Sequence, residues 1–310
     1  MDRTLLGLVL HPTRDVSEVV EIIAEWATRH GKGLAVRVED RDRVPASVEA
    51  LPADELPRTV NALISIGGDG TMLGALRMVV DDPKPVLGVH LGRLGFLIEV
   101  EPPELPAALD RLANKDFTVE THSCLVCGVC GDDLVAFNDI ALVRQPGSGF
   151  VTATLAVDGQ RYGYYRCDAI VVSTPTGSTA YSYAAGGPLV SPAAQALVVT
   201  PSAPMAGISR AVVLSPDETI RLELTPGSAP VAVEVDGLVI REAATQGAVD
   251  ISFRREAGLV VRLDPRRYQE RNQLKLSLLD LPLLPEQLRE LLPEGLREQL
   301  SRRELPPPAR

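Results

Sequence analysis

The feature that most narrows the fold of this 310-residue chain is a change of periodicity near residue 115. Before it, short apolar runs alternate with amphipathic stretches. Residues 4–10 have the pattern of an apolar strand. Asp15-x-x-Glu18 has the form of a capping box and leads into Val19, Ile22, Ile23 and Trp26 at helical spacing. Strand patterns return at 33–38, 61–66 and 86–91, and helical patterns occupy 71–80 and 103–112. Such alternation predicts a mainly parallel sheet. Beyond residue 115 the texture becomes β-branched runs broken by Gly, Pro and Asp, at 117–129, 134–142, 152–157, 169–173, 212–214, 219–224, 231–235 and 249–254. The expected class is therefore α/β plus all-β: an amino-terminal open α/β domain with a mainly parallel sheet, then a β-rich, sandwich-like domain. The expected divisions are 1–105, 106–264 and a carboxy-terminal segment 265–310 that is free to return to the first domain. Residues 39–55, charged and Pro-containing, read as a mobile surface connection. A near-duplicate Leu-Pro-Glu-x-Leu-Arg-Glu pattern within 284–300 reads as short amphipathic helices, a disordered tail or an intersubunit contact.

Composition limits the partners. A formal net charge of -10 disfavours a long footprint on nucleic acid or an anionic membrane. Only four cysteines are present, and no apolar run reaches the roughly 18 residues of a membrane span. The sequence thus predicts a cytoplasmic protein.

Three segments carry chemistry. Gly67-Gly68-Asp69-Gly70-Thr71 follows the 61–66 strand pattern and precedes a helical one, at the strand end where open α/β sheets bind ligands. Its glycines let the backbone approach phosphate oxygens, and N–H groups at the helix start meet their charge. The Gly-Lys-Ser/Thr ending of a Walker A loop is missing. A second glycine segment, residues 88–97, contains Gly92, Arg93, Gly95 and Phe96, which suggests two turns facing one crevice. The densest signal is Ser173-Thr174-Pro175-Thr176-Gly177-Ser178-Thr179-Ala180-Tyr181, continuing to Gly186-Gly187-Pro188, a loop suited to hydrogen-bonding a polar ligand.

The order and spacing of the Gly67-to-Thr71 loop, the 91–97 segment, Asn138-Asp139 and the 174–188 block resemble those of the NAD kinases, over about residues 4–276. The glycine-aspartate loop alone also fits diacylglycerol, sphingosine and phosphofructo-kinase relatives, whereas the hydroxyl block is far more specific to NAD kinases. The resemblance implies transfer of a phosphoryl group from ATP to the 2'-hydroxyl of the adenosine ribose of NAD, with Mg2+ or another divalent cation neutralising the triphosphate. It implies Asp69 as the catalytic base. It also implies ligand contacts from Gly67, Gly68, Gly70, Thr71, Arg93, Phe96, Asn138, Asp139, Arg166, Asp168, Thr179, Ala180, Tyr181, Ser182 and Ala184. No protein metal ligand is expected. A homodimer or homotetramer, in which a neighbour completes the NAD site, follows from the same resemblance. The chain departs from the family at Asp139 (usually Glu), Ala184 (usually Ser), Leu238 (commonly Gln) and Met205 (usually His), and these departures bear on acceptor choice. Two other readings stand beside the first: a divergent kinase of another nucleotide or a lipid, and a non-catalytic dinucleotide-binding regulator.

Cys124, Cys127 and Cys130 are spaced like a metal cluster. On a strand, however, residues three apart face opposite sides, which predicts buried small side chains instead. Of the scattered histidines, His90 has the best position to touch a ligand. The acidic excess lies away from the motifs: residues 39–55 hold six acids against two bases, whereas 61–98 and 138–187 each hold three of both. Local attraction for phosphate from glycine N–H groups, Arg93 and Arg166 is thus compatible with an acidic total.

Overall fold

A computed structural model describes residues 4–92, 95–129, 132–244 and 247–266. The duplicated carboxy-terminal pattern, Arg93 and Cys130 lie outside the described residues, as does nearly all of the 265–310 segment. Residues up to Leu263 form one compact unit, separate from that beginning at Asp264.

Within the first unit the strands Leu5–Leu10, Gly33–Arg37, Glu49–Leu51, Ala62–Gly67 and Pro85–His90 run parallel. Leu5–Leu10 and Ala62–Gly67 are buried almost throughout, as expected where helices cover both faces. The helix Ser17–Arg29 turns Val19, Val20, Ile23 and Trp26 inward, and the Trp26 indole N–H donates to Asp110 Oδ1 of the helix Leu105–Ala113 at 2.7 Å. Asp15 does not form the expected capping box with Glu18. Its Oδ1 accepts the Ser17 N–H at 2.9 Å, a local turn that delivers the chain into the helix two residues later. The 39–55 stretch is not a loose connection either. It contains the 3-10 helix Val38–Arg43 and the edge strand Glu49–Leu51, because Arg37 and Arg43 both grip the buried Asp40 carboxylate, at 2.8 and 3.1 Å.

In the second half, periodicity changes as the sequence predicts. Val151–Val157, Ile220–Leu224 and Val231–Val235 alternate buried and less buried residues. Among the described residues, one six-stranded sheet is confined to this half. The other sheet, of twelve strands, runs through both halves. The splice is the sixteen-residue strand Gly247–Arg262: it pairs antiparallel with Ile220–Leu224 and Thr118–Val129, and its end pairs parallel with Pro85–His90. Ile140, Leu142, Ile170 and Val172 of the smaller sheet share a core with Leu125, Leu155, Leu222 and Ile251 of the larger, which makes this half sandwich-like. Cys124 and Cys127 point into two different cores, as strand alternation requires, and burial pushes both thiols up to about 12. No described helix is long and apolar enough to cross a membrane.

Candidate active site

The order of the parallel strands reverses at Leu5–Leu10, which has Gly33–Arg37 on one side and Ala62–Gly67 on the other. In an open α/β sheet, the crevice beyond the carboxyl ends at such a reversal is where ligands bind. A cleft of about 660 Å³ lies there, lined by His11 and Pro12 after the first strand and by Gly68, Gly70 and Thr71 after the fourth. Arg37, Gly74, Arg77 and Asp236 also line it. Gly70, Gly74 and Arg77 recur at helical spacing along Asp69–Met78, so two glycines keep that face of the helix low and an arginine closes it.

Asp69 opens this helix, and its carboxylate is already held. Phe96 N–H donates to Oδ2 at 2.7 Å and Leu97 N–H to Oδ1 at 3.0 Å. The two glycine segments therefore meet on one side chain. Gly95 is glycine for that reason: a Cβ there would stand 1.9 Å from Asp69 Oδ1. An ionised carboxylate has about four lone-pair sites, so two remain for a ligand hydroxyl. The Gly67 carbonyl accepts Leu91 N–H at 3.3 Å, and a Cβ at Gly67 would meet Thr71 Oγ1 at 2.2 Å.

The 134–142 strand pattern breaks in two, Asp132–Ala136 and Asp139–Arg144, around Asp236. The Asp236 side chain is 1% exposed and accepts N–H groups from Asn138 at 2.7 Å, Phe137 at 3.2 Å and Asp139 at 3.3 Å, while Arg77 pairs with it from the helix. One buried carboxylate thus joins the Asp69 helix to the Asn138-Asp139 corner. Among the described residues no hydrogen bond engages the Asn138 side-chain amide, and Asn138 is half-buried. Asp139 is 3% exposed. Burial first, then the neighbouring Asp236 and Glu234 charges, push its carboxyl up to about 7 against a hydrogen bond from the Tyr181 backbone. Between about pH 4 and 7 the unfolded chain has released this proton while the folded chain keeps it, so stability falls as pH rises through that window. Asp139→Asn removes the penalty. Urea unfolding should show the variant matching the parent near pH 4 and exceeding it by on the order of 2 kcal/mol at pH 8; a constant offset at every pH would contradict this.

The hydroxyl block is tied mostly to itself. Thr174 Oγ1 donates to the Phe137 carbonyl at 2.7 Å and accepts Gly177 N–H at 3.0 Å. Ser178 Oγ donates to the Pro175 carbonyl and accepts Val190 N–H, and Ser182 Oγ meets Thr200 Oγ1 at 2.9 Å. A Cβ on Gly177 would lie 1.9 Å from the Asn138 carbonyl, so block and corner are pressed together. The block acts as a buttress, presenting half-buried Thr179, Ala180 and Tyr181 and exposed Ala184, while Ser182 is fully buried. The Tyr181 hydroxyl is shifted upward, first by burial and then by the negative charges of Glu234, Asp139 and Asp168.

Asp69, Gly67, Gly68, Gly70, Thr71, Phe96, Asn138, Asp139 and the 179–184 residues thus connect through one framework, which the contacts of Asp168 do not join. Asp168 is paired with Arg144 at 2.7 Å. Arg166 stands apart, exposed, its guanidinium 5.1 Å over the Phe150 ring, with no described bond to Asp69 or Asp139. His90 holds its own turn, Nδ1 accepting Gly92 N–H at 3.2 Å. Sequence reasoning missed Arg77 and the role of Asp236. The Asp-Gly pair at 236–237, a hairpin-turn signal, and the 70/74/77 spacing were the available clues.

Models of two domains match the chain: the ATP-NAD kinase N-terminal domain over residues 6–117 and the ATP-NAD kinase C-terminal domain over 137–263. An NAD kinase of Rhodococcus erythropolis is 35% identical over 292 residues, covering 87% of this chain and 93% of that protein. One from Caldanaerobacter subterraneus is 33% identical over 238 residues, covering 75% and 84%. Among solved structures, yeast NADH kinase complexed with NADH aligns with a TM-score of 0.77 at 22% identity, covering 91% of this chain and 90% of that one. An NAD kinase from Archaeoglobus fulgidus in complex with ATP aligns at 0.68 and 24% identity, covering 88% and 98%. These two structural likenesses speak for the fold.

Proposed function

The chain belongs to the NAD kinase family, and from that premise we propose how its cleft works. It is a phosphotransferase with an alcohol acceptor, converting NAD and ATP to NADP and ADP. The observation that carries the residue assignment is the Asp69 carboxylate, cradled by two N–H groups at a helix start beside the strand-order reversal. Asp69 receives the proton of the ribose 2'-hydroxyl as that oxygen attacks the terminal phosphate of ATP. A carboxylate is a weak base for a free alcohol, so the proton moves late, once the new bond has acidified the hydroxyl. Gly67, Gly68, Gly70 and Thr71 let phosphate oxygens approach the N–H groups at the helix start, where the helix dipole favours negative charge. Arg93 and Phe96 act from the second glycine segment.

Asn138 and Asp139 recognise the adenine and ribose, the first through its open amide. Asp139 is one methylene shorter than the usual Glu and reaches the ribose through a small shift or a bridging water. Thr179, Ala180, Tyr181, Ser182 and Ala184 wall the dinucleotide site, with Ser182 acting from behind. Arg166 and Asp168 serve the NAD site at a subunit boundary, in a homodimer or homotetramer. The exposed Tyr162, Tyr164 and Met205 near the edge of the larger sheet support such an assembly. We propose the cytoplasm as its location, in keeping with the three buried free thiols among the described residues. Residues 1–105 supply the glycine loops and 106–264 the dinucleotide wall.

Among the described residues no cluster of three His, Cys, Asp or Glu side chains is set to hold a cation. A divalent cation such as Mg2+ would enter on the phosphate oxygens of ATP and there would neutralise charge on the transferring group.

Purified protein assayed across ATP and polyphosphate, NAD and NADH, with and without Mg2+, tests the substrates: NADP should form from Mg-ATP and NAD, and the lack of any 2'-phosphorylated product would overturn the reading. Gly95→Ala tests the cradle. Its methyl displaces the Asp69 carboxylate, so kcat should fall about a hundred-fold with the KM values little changed; unchanged kcat would show that the carboxylate is not held as described.

A further inference from the structure

The splicing strand Gly247–Arg262 ends on an arginine that is only 3% exposed. Arg262 Nη1 donates to the Leu97 carbonyl at 2.8 Å and Nε to Glu120 Oε2 at 2.6 Å. Leu97 is also the residue whose N–H reaches Asp69 Oδ1, and its neighbour Phe96 reaches Oδ2. Arg262 therefore grips the carbonyl side of the short segment whose amide side holds Asp69. In the other direction, Glu120 Oε1 stands 3.3 Å from His122 Nε2, and His122 Nδ1 stands 3.3 Å from Thr176 Oγ1 in the hydroxyl block. Burial alone would raise the Glu120 carboxyl, but the close approach of His122 and the Arg262 charge outweigh it and bring it down to about 2. An ion pair of this kind is a poor device for stability, because apolar side chains in its place often stabilise as well or better. Its geometry suits another task. Segments around residues 69, 97, 120, 176 and 262, far apart in the chain, form one continuous polar path between the glycine loop and the hydroxyl block.

We propose that Arg262 is a positioning residue for phosphoryl transfer: by fixing the Leu97 carbonyl it fixes the two N–H groups that orient Asp69, and through Glu120 and His122 it ties that orientation to Thr176. The inference rests on the role proposed above for Asp69. Lysine keeps the charge but is a single flexible ammonium that does not hold the Leu97 carbonyl and Glu120 together at fixed angles. In Arg262→Lys, kcat should fall about thirty-fold while the KM values for ATP and NAD stay within about twofold, the signature of misplaced chemistry rather than lost binding. Glu120→Gln, which keeps an acceptor for Arg262 but loses the charge, should fall less, about fivefold.

The deciding experiment is a double-mutant cycle on NADP formation with Asp69→Asn, Arg262→Lys and the pair, each checked for folding by circular dichroism. If Arg262 acts through Asp69, the double variant is no more than about twofold slower than Asp69→Asn alone. Multiplying effects, or a folded Arg262→Lys with parental kcat, would overturn the inference. Should Arg262→Lys not fold, Glu120→Gln replaces it in the same cycle with the same two outcomes. Failure of the underlying reading looks different: Asp69→Asn itself would then keep parental kcat.

Discussion

Asp69→Asn should lower kcat about a thousand-fold and leave the fold intact. The side chain keeps its size, so the helix start and the cleft keep their shape. What changes is chemistry. An amide receives no proton at neutral pH, and its NH2 faces one of the two N–H groups, from Phe96 or Leu97, that the carboxylate oxygens accept. That donor-to-donor contact costs about 1–2 kcal/mol, enough to lower the unfolding midpoint slightly without unfolding the chain. Because the loss falls on the transition state, KM for NAD and ATP should move little and calorimetry should still detect NAD binding. Steady-state NADP formation alongside circular dichroism checks this. A variant that turns over at parental rate would remove Asp69 from the chemistry.

Asp236→Ala should have the largest effect on stability, about 3–5 kcal/mol, read as a drop in the urea midpoint. The substitution leaves three backbone N–H groups and the Arg77 guanidinium without their shared acceptor in a site almost closed to water. It also puts alanine at a φ of 48°, a left-handed conformation that aspartate tolerates better. Asp236→Asn should lose less, about 2 kcal/mol, since an amide oxygen still accepts the Asn138 N–H. Because the Asp236 charge helps hold the Asp139 proton, the asparagine variant should also shift the pH dependence of stability toward lower pH. An alanine variant as stable as the parent would mean that the Asn138-Asp139 corner is fixed by something else.

How much of this was legible in the sequence depended on the range of the interaction. Parallel strands such as Ala62–Gly67 were readable because burial on both faces demands an unbroken apolar run, and Gly67-to-Thr71 was readable because a tight turn needs glycine locally. The strand Gln160–Cys167 was not, since QRYGYYRC carries no aliphatic run and buries only Tyr165 and Cys167, near its end. Residues 39–55 looked loose because their charge was counted rather than paired; Asp40 between two arginines makes them ordered. The hydroxyl block was found by its density, yet the direction of its hydroxyls was not. Thr174, Ser178 and Ser182 bond inward to carbonyls, amides and Thr200, and only the fold reveals those partners. Arg77 and Asp236 are 159 residues apart in the chain, and Arg262 acts on Leu97 from 165 residues away. No local pattern encodes such pairings: Arg262 ends the long strand that joins the two halves of the larger sheet, and Asp236 reaches Arg77 from the smaller sheet.

The most direct test is to follow both products at once in a reaction of purified protein with ATP, Mg2+ and NAD, and to locate the new phosphate by phosphorus NMR. One NADP should form for each ADP, with the phosphate on the 2'-oxygen of the adenosine ribose, and both should disappear together in Asp69→Asn. ADP released without NADP, or a phosphate placed on any other oxygen, would contradict the assignment of this cleft.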